Sequence, residues 1–232
     1  MVGTVGGVLF VTALVTGMLT GLIPGLSTTH GSSPGSGGTA TCDAGGSAGQ
    51  SQGPDISYCR ARMIADANVS DTNGGPWTLA LANGISYTGE YVFSCEGVVV
   101  NGPAQQGNLT IGLANFWEFV FDNYHGMLLV VVVVGPSSVH SLTLPTSNVS
   151  SCQLSYAAGI NGTLIDSTEA ASKADIGNLP NQNSISYVQY TLSFTPLYSG
   201  DPVWVLTVDE QGSKLCQTID AASGNLLHGG TC

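Results

Sequence analysis

The residues of this 232-residue chain with the widest chemical reach are four histidines, His30, His125, His140 and His228, and six cysteines, Cys42, Cys59, Cys95, Cys152, Cys216 and Cys232. No histidine stands at ligand spacing from another histidine or from a cysteine, and neither CxxC nor CxxCH occurs, so no zinc, haem or copper site is expected. Asp122 and His125 come nearest to an acid–base pair, but the run Asp122, Asn123, Tyr124, His125 has the composition of a turn and brings no nucleophile with it. Gly45, Gly46, Ser47, Ala48 and Gly49 match GxSxG formally, without the strand before and helix after that a nucleophile elbow needs. No glycine cluster is followed by GK[ST], which removes a phosphate loop. Trp77, Trp117 and Trp204 are expected in the core rather than on a sugar-binding platform. The expectation is a protein that is not an enzyme, with no cofactor and no metal.

An even set of widely spaced cysteines suits disulfides in an exported chain, and pairing of neighbours is expected: Cys42 with Cys59, Cys95 with Cys152, Cys216 with Cys232. Four N-glycosylation sequons, at Asn68, Asn108, Asn148 and Asn161, point the same way, so N-linked glycans are expected as partners. Four Lys or Arg stand against fifteen Asp or Glu, for a net charge of −11, and only 8% of residues are charged. Nucleic acid is excluded as a partner because no basic patch could neutralise phosphates. Between Arg62 and Lys173 there is no Lys or Arg at all, so trypsin-like proteases find nothing to cut there.

The element around which the rest is organised is Met1 to Leu26, a stretch without a single charge. As a helix, 23 of its residues would reach about 35 Å, enough to cross a bilayer core with some tilt. Read at a spacing of four, it divides into bulky columns (Phe10, Leu14, Met18, Leu22 and Val11, Val15, Leu19, Ile23) and small ones (Thr12, Thr16, Thr20 and Ala13, Gly17, Gly21, Gly25). Residues four apart share a helix side, so one half of the helix would be greasy and the other nearly bare. Small columns let helices approach closely, and threonine hydroxyls can bond across the seam. The first Lys or Arg is Arg60, so the stretch lacks the basic flank of a signal peptide or of an oriented span, and a start from which a basic leader has been cut is expected.

Val2 to Ile23, followed by Pro24, resembles the N-terminal segment of type IV pilins and related archaeal surface-filament subunits. In that family the segment sits first in the membrane and then in a filament core. The early Glu usual in bacterial pilins is missing here, which directs the resemblance to the archaeal branch. It implies a homopolymer whose assembly helix is carried by Thr12, Ala13, Thr16, Gly17, Thr20, Gly21 and Gly25. Two other fates for the segment stay open: a lone membrane anchor, or a strand donated to a neighbour's sheet.

Residues 27–54 are rich in Ser, Gly, Thr and Ala and are expected to be a linker. A helix is expected over Ile56 to Ala67, its Arg60 and Arg62 pairing with carboxylates. Strands then follow at short intervals. Trp77 to Ala82 and Ile85 to Phe93 flank Asn83-Gly84, a hairpin signal. Further strands are predicted at Gly97 to Val100, Asn108 to Ala114, Phe116 to Phe121, Gly126 to Val134, Val139 to Leu144 and Val149 to Ala157. Met127 to Val134 has the apolar continuity of a strand buried on both faces. A short helix over Asp166 to Ile176, capped by Ser167, precedes strands at Val188 to Thr195, Val203 to Val208 and Lys214 to Ile219. Ile219, Asp220, Ala221, Ala222, Ser223, Gly224, Asn225, Leu226 and Leu227, with Trp204 upstream, resemble the close of a PepSY module.

The fold class expected is mainly β: a long N-terminal hydrophobic helix, then a β-sandwich-like head over 55–160 and 161–232, the second part β-rich or α+β. The function expected is a structural, extracellular, cell-surface filament subunit, inserted in the membrane before assembly. A membrane-anchored binding or inhibitory module with a PepSY-like end is the alternative, and a subunit assembling by donor-strand insertion is another.

Overall fold

A computed structural model describes residues 41–42, 51–52, 55–87, 91–95, 98–102, 112–146, 159–176, 185–194, 201–210 and 212–232. The chain divides into two compact units, Met1–Pro34 and Gly35–Cys232, and every described residue belongs to the second. The helix expected over Met1 to Leu26 therefore lies outside the described residues. Among those described, no helix is long and apolar enough to cross a membrane.

Helix α1 (Tyr58–Ser70) follows three two-residue strands, β1 (Thr41–Cys42), β2 (Ser51–Gln52) and β3 (Asp55–Ile56). Then come β4 (Thr78–Tyr87), β5 (Tyr91–Cys95), β6 (Val98–Gly102), β7 (Phe116–Asp122), β8 (Met127–Val134), β9 (Ser138–Pro145) and β10 (Thr163–Leu164). Helix α2 (Ser167–Lys173) leads to β11 (Ile185–Phe194), β12 (Pro202–Glu210), β13 (Ser213–Asp220) and β14 (Leu226–Thr231). Eight strands form one antiparallel sheet in the order β14-β13-β12-β11-β4-β7-β8-β9, while β1 pairs with β10, β2 with β3 and β5 with β6. Because β4 is bonded to β11, residues 55–160 and 161–232 contribute to a single sheet.

The mainly β expectation holds, but two facing sheets are not what the described residues form. Alternation sends Trp117, Phe119, Phe121, Leu129, Val131, Val133, Tyr190, Leu192, Trp204 and Leu206 to one face, where α1 and α2 pack through Ala61, Ala65, Ala170 and Ala171. Small helix residues bring the helices close to the sheet, and the alternation of β-strands supplies the apolar floor. The other face carries a second cluster of Phe116, Val120, Leu128, Val130, Val132 and Leu144. Strand β8 is thus buried on both faces, as its unbroken apolar run predicts.

Asn83-Gly84 is no hairpin turn. Both residues sit inside β4, with Asn83 opposite Glu118 and Gly84 opposite Trp117. The glycine is required by packing: a Cβ there would lie 2.6 Å from the Trp117 ring. Asn83 is held by neighbours too, its Oδ1 accepting from Gln189 Nε2 at 2.8 Å and from Thr191 Oγ1 at 3.2 Å. The strand expected over Asn108 to Ala114 shows at its described end a turn at Gly112 and one bridge, Ile56 to Ala114. Strand β14 was not expected. Its exposed Leu226 and Leu227 lack the alternation that marks a half-buried strand.

Candidate functional site

Among the described residues, a dense polar junction forms where the two helices begin. Tyr58 N donates to Ser167 Oγ at 2.9 Å, Cys59 N to Asp166 Oδ1 at 3.0 Å, and Arg60 N to Ser57 Oγ at 3.4 Å. The first-turn N–H groups of α1, which in other settings attract anions, are therefore filled by side chains of this chain. Asp166 Oδ1 also accepts from Ser167 N at 2.8 Å, so Asp166 rather than Ser167 caps α2. The correction has a clear cause: Ser167 is turned toward α1 and donates its hydroxyl to Gly112 O at 2.7 Å. Gly112 N in turn donates to the buried Tyr190 hydroxyl at 2.8 Å. Gly112 adopts φ +82°, and a Cβ there would meet Thr168 Cα at 2.4 Å. Ser167→Ala removes one acceptor and one donor from a fully buried junction, and is expected to lower unfolding free energy by about 2 kcal/mol in urea titration.

Beneath α1, the Arg62 side chain is almost wholly buried, its Nε 2.8 Å from Asp66 Oδ1 in an ion-pair contact without a well-directed hydrogen bond. Its guanidinium carbon lies 4.8 Å from the Phe121 ring centroid, a cation–π arrangement. Tyr58 packs edge-on against Trp117 and Trp204, and burial raises its hydroxyl to about 12 despite the nearby Arg62 charge. Trp117 Nε1 donates to Ile56 O at 2.9 Å and Trp204 Nε1 to Ile165 O at 3.2 Å, both rings being fully buried. These tryptophans are core, as expected. Trp77 is half-buried, with Nε1 3.4 Å from Thr72 O.

The Asp122–His125 run is the turn its composition predicts. Tyr124 N donates to Asp122 Oδ1 at 2.7 Å, while His125 N and Met127 N donate to Asn123 Oδ1 at 2.8 and 3.0 Å. His125, His140 and His228 are exposed, the last two on β9 and β14, and His30 lies outside the described residues. Among the described residues no group of His, Cys, Asp or Glu could hold a metal ion.

Sequence reasoning overlooked Glu118. It stands between Phe116 and Val120 on the second sheet face, is 4% exposed, and its Oε1 has no hydrogen-bond partner. Burial alone raises its carboxyl to about 8, so it is largely neutral at pH 7. On the same face a polar row runs toward it: the Tyr187 hydroxyl donates to Gln189 Oε1, and Gln189 Nε2 donates to Asn83, its cross-strand neighbour. The available signal was one carboxylate inside the apolar run Phe116 to Phe121.

Two of the expected disulfides are present, Cys42–Cys59 with Cα atoms 5.7 Å apart and Cys216–Cys232 with 5.2 Å. The side chain of Cys95 and all of Cys152 fall outside the described residues. Such bridges are those of a cell-envelope or extracellular protein. Replacing Cys42 and Cys59 together by serine is expected to cost about 3 kcal/mol in chemical denaturation, from the sequence separation of 17. Of the sequons, Asn161 is exposed just before β10, with Nδ2 3.1 Å from Gly159 O. Asn68 lies within α1 with its Oδ1 buried, and Asn108 and Asn148 are outside the described residues. The assembly residues Thr12, Ala13, Thr16, Gly17, Thr20, Gly21 and Gly25 are also outside them.

No protein-family model matches the chain. No curated protein matches it either. Among solved structures, the chain is similar to a candidate lipoprotein of Clostridium difficile 630, at TM-score 0.43 and 7% identity, over 74% of this chain and 90% of that one. A likeness of that size assigns neither a family nor an activity.

Proposed function

We propose that this chain is the structural subunit of an extracellular, pilus-like filament, a homopolymer rather than an enzyme, built through its charge-free N-terminal segment. The observation that supports this reading most is the way the head begins. Cys42, the first cysteine after that segment, is bonded to Cys59 in the first turn of α1, and β1 pairs with β10 beside it. Tension arriving along the chain from residues 1–40 would reach a covalent bridge and the core helix together. Cys216–Cys232 ties β13 to the residue that follows β14. In the membrane the segment would be solvated by lipid, and in the filament by the small-residue seams of neighbouring copies. A glycan at the exposed Asn161 suits such an exterior.

The alternative of an anchored PepSY-like module gains nothing specific. The Asp220–Gly224 stretch is an ordinary turn, in which Asp220 Oδ1 accepts from Ala222 N at 3.1 Å and Ser223 N at 2.6 Å. Gly21→Leu tests the seam: it should cut the sedimentable, assembled fraction of the full chain at least tenfold. Assembly equal to that of the unaltered protein sinks the proposal.

A further inference from the structure

The large sheet is open, and among the described residues its edges are β9 and β14. Every residue of β14 is exposed, and on β9 so are Ser138, His140, Ser141, Thr143 and Pro145. Sheet edges left bare invite pairing, and natural proteins usually guard them with charge. Here a chain of net charge −11 places no Asp, Glu, Lys or Arg on either edge strand. Among the described residues the guards are Pro145 at the end of β9 and a register shift near Leu227 on β14.

Strand parity makes the two edges fit each other. Eight strands, each antiparallel to its neighbour, leave β9 and β14 running in opposite directions. A second copy shifted along the sheet without being turned over would present its β14 antiparallel to the first copy's β9. The lengths are comparable, six residues against eight. We propose that successive heads join by antiparallel pairing of β14 of one copy with β9 of the next. The contact is heterologous, a geometry that gives either a closed ring or an open helix, and copies shifted along the sheet and wound by its own twist give the open helix, a filament. This rests on the reading of the chain as a homopolymer, but not on the N-terminal segment.

The test uses the full chain, with assembly followed by sedimentation and negative-stain microscopy and folding followed by thermal midpoint. On the helix-bearing side, Ser141→Lys with Thr143→Lys charges the β9 edge, and Leu226→Glu with Thr231→Glu, both at exposed positions, charges the β14 edge. Each pair alone should lower the assembled fraction at least tenfold with the midpoint unchanged, and all four changes in one chain should restore it at low salt. Assembly of both edge variants at the unaltered level overturns the β14–β9 pairing, while leaving the N-terminal seam standing if Gly21→Leu still blocks assembly. Loss on charging β14 but not β9 also overturns it, in favour of two-fold β14 pairing or a donated strand. Failure of the unaltered chain to assemble overturns both proposals.

Discussion

Raising the pH from about 4.5 to about 8 is expected to weaken the folded head progressively, and Glu118→Gln to abolish most of that loss. The folded-state carboxyl titrates near 8, against 4.5 for an ordinary glutamate. Below pH 4.5 the proton is bound in both the folded and unfolded states, so the group contributes no pH dependence. Between 4.5 and 8 the unfolded chain releases the proton while the folded one keeps it, so stability falls by about 1.4 kcal/mol per pH unit, roughly 5 kcal/mol in all. Above 8 both states are ionised and the loss is complete. Asp220 acts oppositely and at lower pH: hydrogen bonds from Ser223 and Ala222 outweigh desolvation and depress its carboxyl, so it stabilises the fold above its usual value and loses that contribution in acid. Urea titrations of both proteins from pH 4 to 9 should show curves that meet near pH 5 and separate by several kcal/mol at pH 8, with the glutamine variant the more stable. Parallel curves would mean that Glu118 is solvated or paired in the folded protein.

Gly84→Val should be the most damaging single change on the helix-bearing face. The ring that occupies the space of the missing Cβ belongs to Trp117, which is fully buried and tied through Nε1 to Ile56 O. It stacks against Phe119 and Tyr190, with centroids 6.3 and 6.1 Å away, so it has nowhere to retreat. Overpacking of this kind costs about 3 kcal/mol, and the urea midpoint should fall without a change in slope. Trp117→Leu in the Gly84→Val background should recover part of the loss, a coupling expected only of residues in contact. Strictly additive effects would refute the packing explanation.

That glycine also marks where sequence reasoning stops. Asn83-Gly84 carries a local signal for a turn, but its role is set by Trp117, 33 positions later, and by Gln189 and Thr191 from β11. Nothing in a short window reveals such partners. Local signals did locate β7, β8, β9, β12 and β13 and the Asp122–His125 turn. Their alternation and turn residues act over a few positions. The exchange of caps between helices is different, because Asp166 and Ser167 lie more than 100 positions from the N–H groups they satisfy. Helix cover for the sheet was hard to read for a related reason: α1 and α2 bury alanines, which make a weak apolar stripe. The second and third cysteine pairs illustrate the contrast, since Cys216–Cys232 follows from neighbour pairing whereas Cys95 and Cys152 leave that rule untested.

On the proposed reading, the charge-free Met1 to Leu26 segment would drive assembly and the disulfide-closed head would be what the filament displays. Negative-stain electron microscopy of the purified full chain after removal of detergent tests this account most directly. Long filaments of uniform diameter are the predicted result. Monodisperse particles, with no filaments at any protein concentration, would contradict it.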